Sequence, residues 1–173
     1  MAIELWDILD AQGNPTGRVI ERGMPLKEGE YMLAVHIYIV NSKGEYLMQK
    51  RASTKEVLPG VWDTTGGAVT SGEDSRLGAL REVEEEIGIK LELEELEYVT
   101  RIQREESFVD IWFLKKDFEA DACILQEEEV EAVKWVPARE MIHHIMHAPW
   151  RQAEYREKVV GAIKERMADK KDV

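Results

Sequence analysis

This chain has very little cysteine and no long apolar run, and both absences narrow what it can be. Its single cysteine, Cys123, excludes an intrachain disulfide and is typical of a reducing compartment. The longest apolar stretch, YMLAVHIYIV, is interrupted by His36 and falls short of the ~18–20 residues of a membrane span. Residues 1–10 lack the basic start and apolar stretch of a signal peptide. We therefore expect a cytoplasmic protein that does not enter a membrane.

Positive charge is also scarce. The sequence has 23 Lys and Arg residues against 35 Asp and Glu residues, which gives a formal net charge of −12. This balance argues against broad binding to nucleic-acid phosphates or to anionic lipid, because both would repel the protein. An anionic small-molecule substrate would need metal ions to mediate its binding.

The chain of 173 residues is long enough for one domain, residues 1–173, with a sizeable core. Two strand-like stretches around Gly13, Asn14 and Pro15 predict an N-terminal β-hairpin extension over about residues 1–25. The other predicted elements are a hairpin at 30–52, a short strand near 62–64, a helix at 74–87, two strands within 96–118, a strand at 130–138, and helices at 137–147 and 150–168. Strands that cluster around one helix, with helices following, predict an α/β sandwich with a mixed sheet.

Acidic residues collect on the helix predicted at residues 74–87. At roughly 100° per residue, its apolar residues share one side that should pack on the sheet; they are Leu80, Val83 and Ile87. Glu82, Glu85 and Glu86 fall together on the opposite side, which would point their three carboxylates outward. Like charges this close on a helix repel one another.

The ends of this helix have sequence signals as well. Thr70 and Ser71, with Glu73 and Asp74 three residues further on, predict a capping box at its start. Gly88 predicts its C-terminal stop.

Three carboxylates on one face are costly without a cation. Mg²⁺ or Mn²⁺ would remove that cost, because hard divalent ions prefer oxygen ligands and keep water molecules that a substrate phosphate can displace. The alternative interpretation is a solvated acidic face that binds nothing. The residues before the helix favour the metal.

The segment GAVTSGEDSRLGALREVEEEIGI, residues 67–89, resembles a complete Nudix box. A glycine, Glu73, the Arg81-Glu82 pair, the Glu85-Glu86 pair and a final glycine stand at the family's fixed spacings, with aliphatic residues where its pattern requires them. The resemblance implies a Nudix-type α/β/α sandwich. It also implies hydrolysis of a nucleoside diphosphate linked to another moiety, or of a related pyrophosphate, by attack of water on phosphorus.

The resemblance also implies roles for single residues. Glu82, Glu85 and Glu86 match the family's metal ligands for Mg²⁺ or Mn²⁺, and the backbone carbonyl of Gly66 matches a further ligand. Arg81 matches the arginine that pairs with the early glutamate, here Glu73. Glu82, Glu86, Arg81 and Glu73 are accordingly the candidate catalytic residues.

The general base is left open by the sequence. In this family it is sometimes a glutamate of the box, here Glu82, and sometimes a glutamate on a later loop. The later candidates are Glu127, Glu128 and Glu129, which could equally form a solvated loop. A carboxylate in this role accepts the proton of the attacking water.

The N-terminal ELWDILDAQGNPTGRVIERG resembles the hairpin region of the isopentenyl-diphosphate isomerase-like branch of the superfamily. That branch implies an isomerase as one alternative. Its isomerases carry a catalytic cysteine in the stretch that reads VWDTTGGAV here, and Cys123 lies far from it. A second alternative is a non-catalytic Nudix module that binds nucleotides, but its sequence mark, the loss of box acids, is missing.

Two further expectations concern partners. Lys50 and Arg51 end a predicted strand, where they could reach substrate phosphates or serve as an ordinary charged strand end. Relatives in this family often dimerise, so we expect a homodimer.

Overall fold

The computed structural model describes residues 2–171, which form nine strands and three α-helices. The strands are β1 Leu5–Leu9, β2 Pro15–Glu21, β3 Met32–Val40, β4 Glu45–Arg51, β5 Trp62–Asp63, β6 Thr65–Ala68, β7 Leu96–Gln103, β8 Ser107–Lys115 and β9 Val130–Pro137. The helices are α1 Ser75–Ile87, α2 Ala138–His147 and α3 Ala153–Lys171. Of the helices described, none has both the length and the apolarity to cross a membrane.

A mixed sheet forms the middle layer. Its hydrogen-bonded path among the described strands runs β5-β4-β3-β8-β7, with β6 beside β3 and β9 beside β4. β3 and β8 run parallel, from the Met32–Ser107 pair to the Val40–Lys115 pair, and the neighbouring pairs are antiparallel. The prediction of a mixed sheet is confirmed.

Each face of this sheet is covered by helix because β3 is apolar on both sides. Val35, Ile37 and Ile39 of β3 pack in one buried cluster, which includes Val83 and Ile87 of α1. The other face belongs to a second cluster, with members from β3, β8, α2 and α3; among them are Tyr38, Phe113, Met141, Tyr155 and Ile163. The result is the three-layer α/β/α sandwich that was predicted.

The hairpin predicted over residues 30–52 forms only at its turn. β3 and β4 pair at Val40 and Tyr46 and then separate. β3 continues against β6 and β8, and β4 continues against β5 and β9. These long-range pairings provide hydrogen-bond partners for the backbone N–H and C=O groups of two strands that are buried on both faces. Residues 62–68 therefore cross from β4 to β3, and this crossing carries the glycine pair Gly66-Gly67.

The N-terminal hairpin of β1 and β2 lies against the start of α1. The Ser71 backbone N–H donates to the Leu5 carbonyl at 2.7 Å, and the Ser71 hydroxyl donates to Asp7 at 2.6 Å. A single bridge also joins Leu9 to Tyr31, just before β3. From these contacts we infer that the hairpin and the sandwich belong to one domain.

The capping box predicted at residues 70–74 is wrong. α1 starts at Ser75, and its N-cap is Asp74, whose carboxylate accepts the backbone N–H of Leu77 at 2.8 Å. Ser71 is engaged by Asp7 instead, because the helix begins too late for it to cap. The predicted stop is correct: Gly88 adopts the left-handed conformation, and its N–H bonds the Glu84 carbonyl.

Candidate active site

The glycine pair and α1 meet at a cavity of about 200 Å³. Part of its wall is the end of the crossing at residues 66–68, and part is the acidic flank of α1. The loop before β9 supplies a third part, because the Gln126 N–H bonds the Glu86 carbonyl at 3.0 Å and ties this loop to the end of α1. Arg51 and Lys55 complete the wall from the end of β4 and the loop after it, and Glu4 and Arg22 from either end of the N-terminal hairpin. The cavity thus joins segments that are distant in sequence.

The three glutamates of α1 that were predicted as ligands all line the cavity, but they do not all point outward. Glu86 is only 5% exposed, whereas the Glu85 side chain is 50% exposed. The prediction of three outward carboxylates is therefore wrong for Glu86. The buried stripe runs through Ala79 and Val83 rather than Leu80, which turns Glu86 toward the sheet.

Arg81 connects the acids to the loop before the helix. Its guanidinium binds Glu73 through two nitrogens, with Nε–Oε1 at 2.6 Å and Nη2–Oε2 at 3.1 Å. Nη2 also donates to the Ala68 carbonyl at 2.9 Å, and Nη1 lies 3.1 Å from Glu82 and 3.2 Å from Glu85. One side chain therefore fixes the helix, the loop and the glycine segment relative to one another.

The two inner glutamates share a poorly solvated environment. Burial raises the pKa of Glu82 to about 7, against the opposing charge of Arg81. Burial also raises the pKa of Glu86 well above its ordinary value, and the adjacent Glu82 carboxylate raises it further. Two carboxyls that are desolvated and coupled in this way favour a bound cation or a shared proton.

Neither glycine of the pair has room for a side chain. A Cβ atom on Gly66 would lie 2.5 Å from the backbone oxygen of Val35, and its register partner in β3 is His36. A Cβ atom on Gly67 would collide with the Glu82 carboxylate. The pair therefore lets β3 approach from one side and Glu82 from the other.

A buried polar network lies close to the glycine pair. His36 Nδ1 and the Tyr155 hydroxyl are 2.7 Å apart, and Arg151 binds both oxygens of Asp63 at 2.8 and 2.6 Å. Burial lowers the pKa of His36 well below its ordinary value. Burial alone would raise the pKa of Asp63, but Arg151 lowers it below its ordinary range. A neutral imidazole and a charged pair thus hold β3 and β5 to α3 and the segment before it.

The structure separates the later candidate bases from one another. Glu127 and Glu128 are exposed, and neither is among the described residues that line the cavity. Glu129 does line it, and its Oε2 lies 2.5 Å from Lys55 Nζ.

Lys50 and Arg51 likewise have different surroundings. Arg51 lines the cavity, with its Nε donating to the Val57 carbonyl at 3.0 Å. Lys50 pairs with Glu131 at 3.3 Å and is not among the described residues of the cavity wall. Alternate residues of a strand face opposite sides of a sheet, so these two neighbours cannot share one site.

Sequence reasoning missed Gln49, Thr65 and Lys55. Gln49 Nε2 donates to Glu86 Oε2, and the Thr65 hydroxyl donates to Gln49 Oε1 at 2.7 Å. Lys55 lines the cavity from the loop after β4. The one available signal was a glutamine directly after the apolar residues 46–48 of β4, where burial requires a hydrogen-bond partner.

Comparison with known proteins identifies the family. The NUDIX domain model matches residues 30–158, which is more than half of the chain. The chain belongs to the Nudix family. An uncharacterised Nudix hydrolase of Listeria monocytogenes is 39% identical to it over 140 residues, which are 80% of this chain and 83% of that protein.

Two further similarities concern a named isomerase and a solved structure. The isopentenyl-diphosphate Δ-isomerase of Corynebacterium diphtheriae is 29% identical over 161 residues, 86% of each chain. A solved protein of Deinococcus radiodurans superposes with a TM-score of 0.71 at 19% identity, over 94% of this chain and 98% of its own, which shows the fold alone. The predicted Nudix-type fold and the prediction of a Nudix pyrophosphatase, an enzyme that cleaves pyrophosphate bonds, are confirmed.

The chemistry of the Nudix residues fits a hard divalent cation. The candidate donors are all oxygen: the carboxylates of Glu82, Glu85 and Glu86, and the carbonyl of Gly66. A cation between Glu82 and Glu86 would also offset the burial that raises both pKa values, and the charge of Glu82 that adds to the shift of Glu86. Within residues 2–171, no three His, Cys, Asp or Glu side chains are arranged as a ready-made metal site. The ligand set therefore stays a prediction.

The glycine pair gives a first test. In Gly67→Ala the new methyl group meets only the carboxylate end of the Glu82 side chain and no backbone, so we expect near-native stability with kcat reduced about 10- to 100-fold, as when a ligand is displaced. In Gly66→Ala the methyl group meets backbone, so we expect a loss of about 1–3 kcal/mol in the free energy of unfolding. Denaturant unfolding and steady-state hydrolysis kinetics measure both. A Gly67→Ala protein with wild-type kcat would contradict this view of the site.

Proposed function

We propose that this protein hydrolyses the pyrophosphate bond of a nucleoside diphosphate linked to another moiety, or of a related nucleotide, with Mg²⁺ or Mn²⁺ as cofactor. The observation that carries the proposal is the meeting of the box acids and basic side chains in one cavity. Glu82, Glu85 and Glu86 supply negative charge there, and Arg51 and Lys55 supply positive charge. This mixture suits a diphosphate that is held partly through cations and partly by direct contact with basic residues.

Bound Mg²⁺ or Mn²⁺ would neutralise the diphosphate and acidify a coordinated water. The chain's own contribution is to place charges. Arg81 holds Glu82 and Glu85 at fixed positions, while the missing side chain of Gly67 leaves room for the Glu82 carboxylate. Arg51 and Lys55 line the same cavity, where they would contact phosphate oxygens of the substrate.

Glu129 is our proposed general base. Glu82 is engaged by Arg81 and coupled to Glu86, so it suits a ligand role. Glu129 belongs to a different element, the loop before β9, where it is ion-paired with Lys55; it lines the cavity, and its charge adds to the raised pKa of Glu86. A carboxylate placed there can accept a proton without giving up a place among the candidate ligands.

The alternative is an isopentenyl-diphosphate isomerase-like enzyme, which is supported by the similarity to the Corynebacterium diphtheriae isomerase. Residues 61–69 carry no cysteine, and neither Gly66 nor Gly67 has room for a thiol-bearing side chain. Cys123 packs at the edge of the cluster on the α1 face, where it acts as a small apolar filler. These observations favour hydrolysis. A non-catalytic nucleotide-binding module is disfavoured because the acids of the box are intact.

The decisive experiment is a hydrolysis panel. The purified protein is given Mg²⁺ or Mn²⁺ and a set of nucleoside diphosphate conjugates, with a phosphatase that releases phosphate from the products but not from the capped substrates. Isopentenyl diphosphate is included, with isomerisation read by product analysis. We expect phosphate release by wild type and a loss of at least about 100-fold in Glu86→Gln, because removing a ligand costs at least as much as removing its support.

If wild type and Glu86→Gln are equally inactive on every conjugate, the proposed hydrolysis is contradicted. Isomerised product from isopentenyl diphosphate would favour the alternative instead. The most active conjugate identifies the substrate and is used in the experiments that follow.

The base assignment has a matched control two residues away. Glu129→Gln should lower kcat by about 10²- to 10⁴-fold, because it removes proton acceptance, and should leave KM nearly unchanged. Glu127→Gln, on the exposed part of the same run, should behave as wild type. If instead Glu129→Gln keeps its kcat, the base is not on this loop and Glu82 becomes the candidate.

Strand alternation provides another control. Arg51→Met should raise KM about 10- to 100-fold, which corresponds to the loss of a hydrogen bond to a charged group. Lys50→Met should leave KM unchanged, because Lys50 contacts Glu131 outside the cavity. Initial rates over a range of substrate concentrations distinguish the two, and equal effects on KM would show that the substrate reaches beyond this cavity.

We also propose a cytoplasmic location, in keeping with the single cysteine, and a homodimer. The homodimer is tested by light scattering of the purified protein.

A further inference from the structure

We propose that Gln49 and Thr65 are positioning residues that fix the orientation of the Glu86 carboxylate toward the cavity. The inference rests on the proposed function, in which Glu86 is a metal ligand. It concerns two side chains that lie outside the box and belong to β4 and β6.

A continuous chain of hydrogen bonds links three buried polar groups. The Thr65 hydroxyl donates to Gln49 Oε1 at 2.7 Å, and Gln49 Nε2 donates to Glu86 Oε2. Thr65 is 1% exposed, and Gln49 and Glu86 are each 5% exposed. Groups this well buried keep a single set of partners, so the chain has a defined geometry.

The direction of the chain follows from its two ends. With a cation bound, Glu86 is ionised and its carboxylate can only accept, so Gln49 turns its NH₂ group toward Glu86. Its carbonyl oxygen then faces Thr65, whose hydroxyl must donate. The carboxylate thereby selects which end of the amide meets it, and the Thr65 hydroxyl satisfies the other end and holds Gln49 in place.

The consequence for Glu86 is a distinction between its two oxygens. Oε2 is occupied by the amide of Gln49, which holds the carboxylate plane in one orientation. Oε1 is then the oxygen available to a cation in the cavity that Glu86 lines. Groups that hold a ligand in this way contribute about 10- to 100-fold to metal affinity or activity.

The chain also couples the acidic helix to the glycine segment. Thr65 directly precedes Gly66, whose carbonyl is another candidate ligand, and Gln49 belongs to the strand that pairs with β5. A shift of β6 would therefore move Gly66 and disturb the Glu86 carboxylate at the same time. This arrangement fixes the relative position of two candidate ligands that belong to different elements.

The test is Mn²⁺ binding to the full chain, freed of metal with a chelator and titrated by calorimetry or by the electron paramagnetic resonance of free Mn²⁺. Thr65→Val removes the hydroxyl at constant shape, and Thr65→Ser keeps it. Gln49→Met removes the amide at similar volume. Circular dichroism and thermal unfolding confirm that each variant is folded.

We expect Thr65→Val and Gln49→Met to bind Mn²⁺ about 10- to 100-fold more weakly than wild type, and Thr65→Ser to bind like wild type. A merely structural role would lower the melting temperature without changing the affinity of the folded protein. Wild-type affinity in both Thr65→Val and Gln49→Met, or equal weakening in Thr65→Ser and Thr65→Val, would overturn the inference. Gln49→Met decides the matter if Thr65→Val does not fold.

Different results would defeat the proposed function and the positioning role. A wild-type protein that neither binds Mn²⁺ nor hydrolyses any conjugate defeats the proposed function. A wild type that does both, with variants indistinguishable from it, defeats only the positioning role.

Discussion

A guanidinium group surrounded by carboxylates holds this site together. Arg81 sits within reach of Glu73, Glu82 and Glu85, and it also binds the Ala68 carbonyl. Without it, the like charges on one flank of α1 would repel each other and the loop before the helix would lose its anchor. The planar fork of an arginine gives this contact a direction as well as a charge, which a lysine could not. Glu73 thus acts by holding Arg81, and nothing requires it to touch a substrate.

The site is supported from both faces of the sheet. On one face, α1 brings its acids against the glycine segment through Arg81 and through the Gln49–Glu86 contact. On the other face, Arg151 forms an ion pair with Asp63 at the start of the crossing, and the Tyr155 hydroxyl contacts His36. The crossing at residues 62–68 lies between the two supports. Functional side chains are placed most reliably when they are fixed to rigid elements in this manner.

Much of this fold was predictable because its signals are local. The turn residues of the first hairpin, the apolar strands and the glycine stop of α1 each act within a few residues. The box indicated the family and the acidic part of the cavity wall for the same reason. The capping prediction failed because the Ser71 hydroxyl binds Asp7 instead. Asp7 lies 64 positions away in the sequence, so no local pattern indicates this contact.

What could not be predicted depends on distant packing. The helical periodicity predicts which residues of α1 share a side with Glu86. Which side is buried depends on how α1 packs against the sheet. β4 is buried on both faces, so no alternation of apolar and polar residues revealed that Gln49 and Arg51 face α1 while Lys50 faces away. The divergence of β3 from β4 depends on four other strands, and no local pattern encodes it.

The position of Arg151 and Tyr155 along the chain has a consequence for biosynthesis. Arg151 follows its partner Asp63 by 88 positions, and Tyr155 follows its partner His36 by 119 positions, so both are synthesised well after the crossing and β3. Until this later segment has emerged from the ribosome, Asp63 and His36 lack these counterparts, and the crossing is held from the α1 side alone. The second support of the crossing therefore forms later in synthesis than the first.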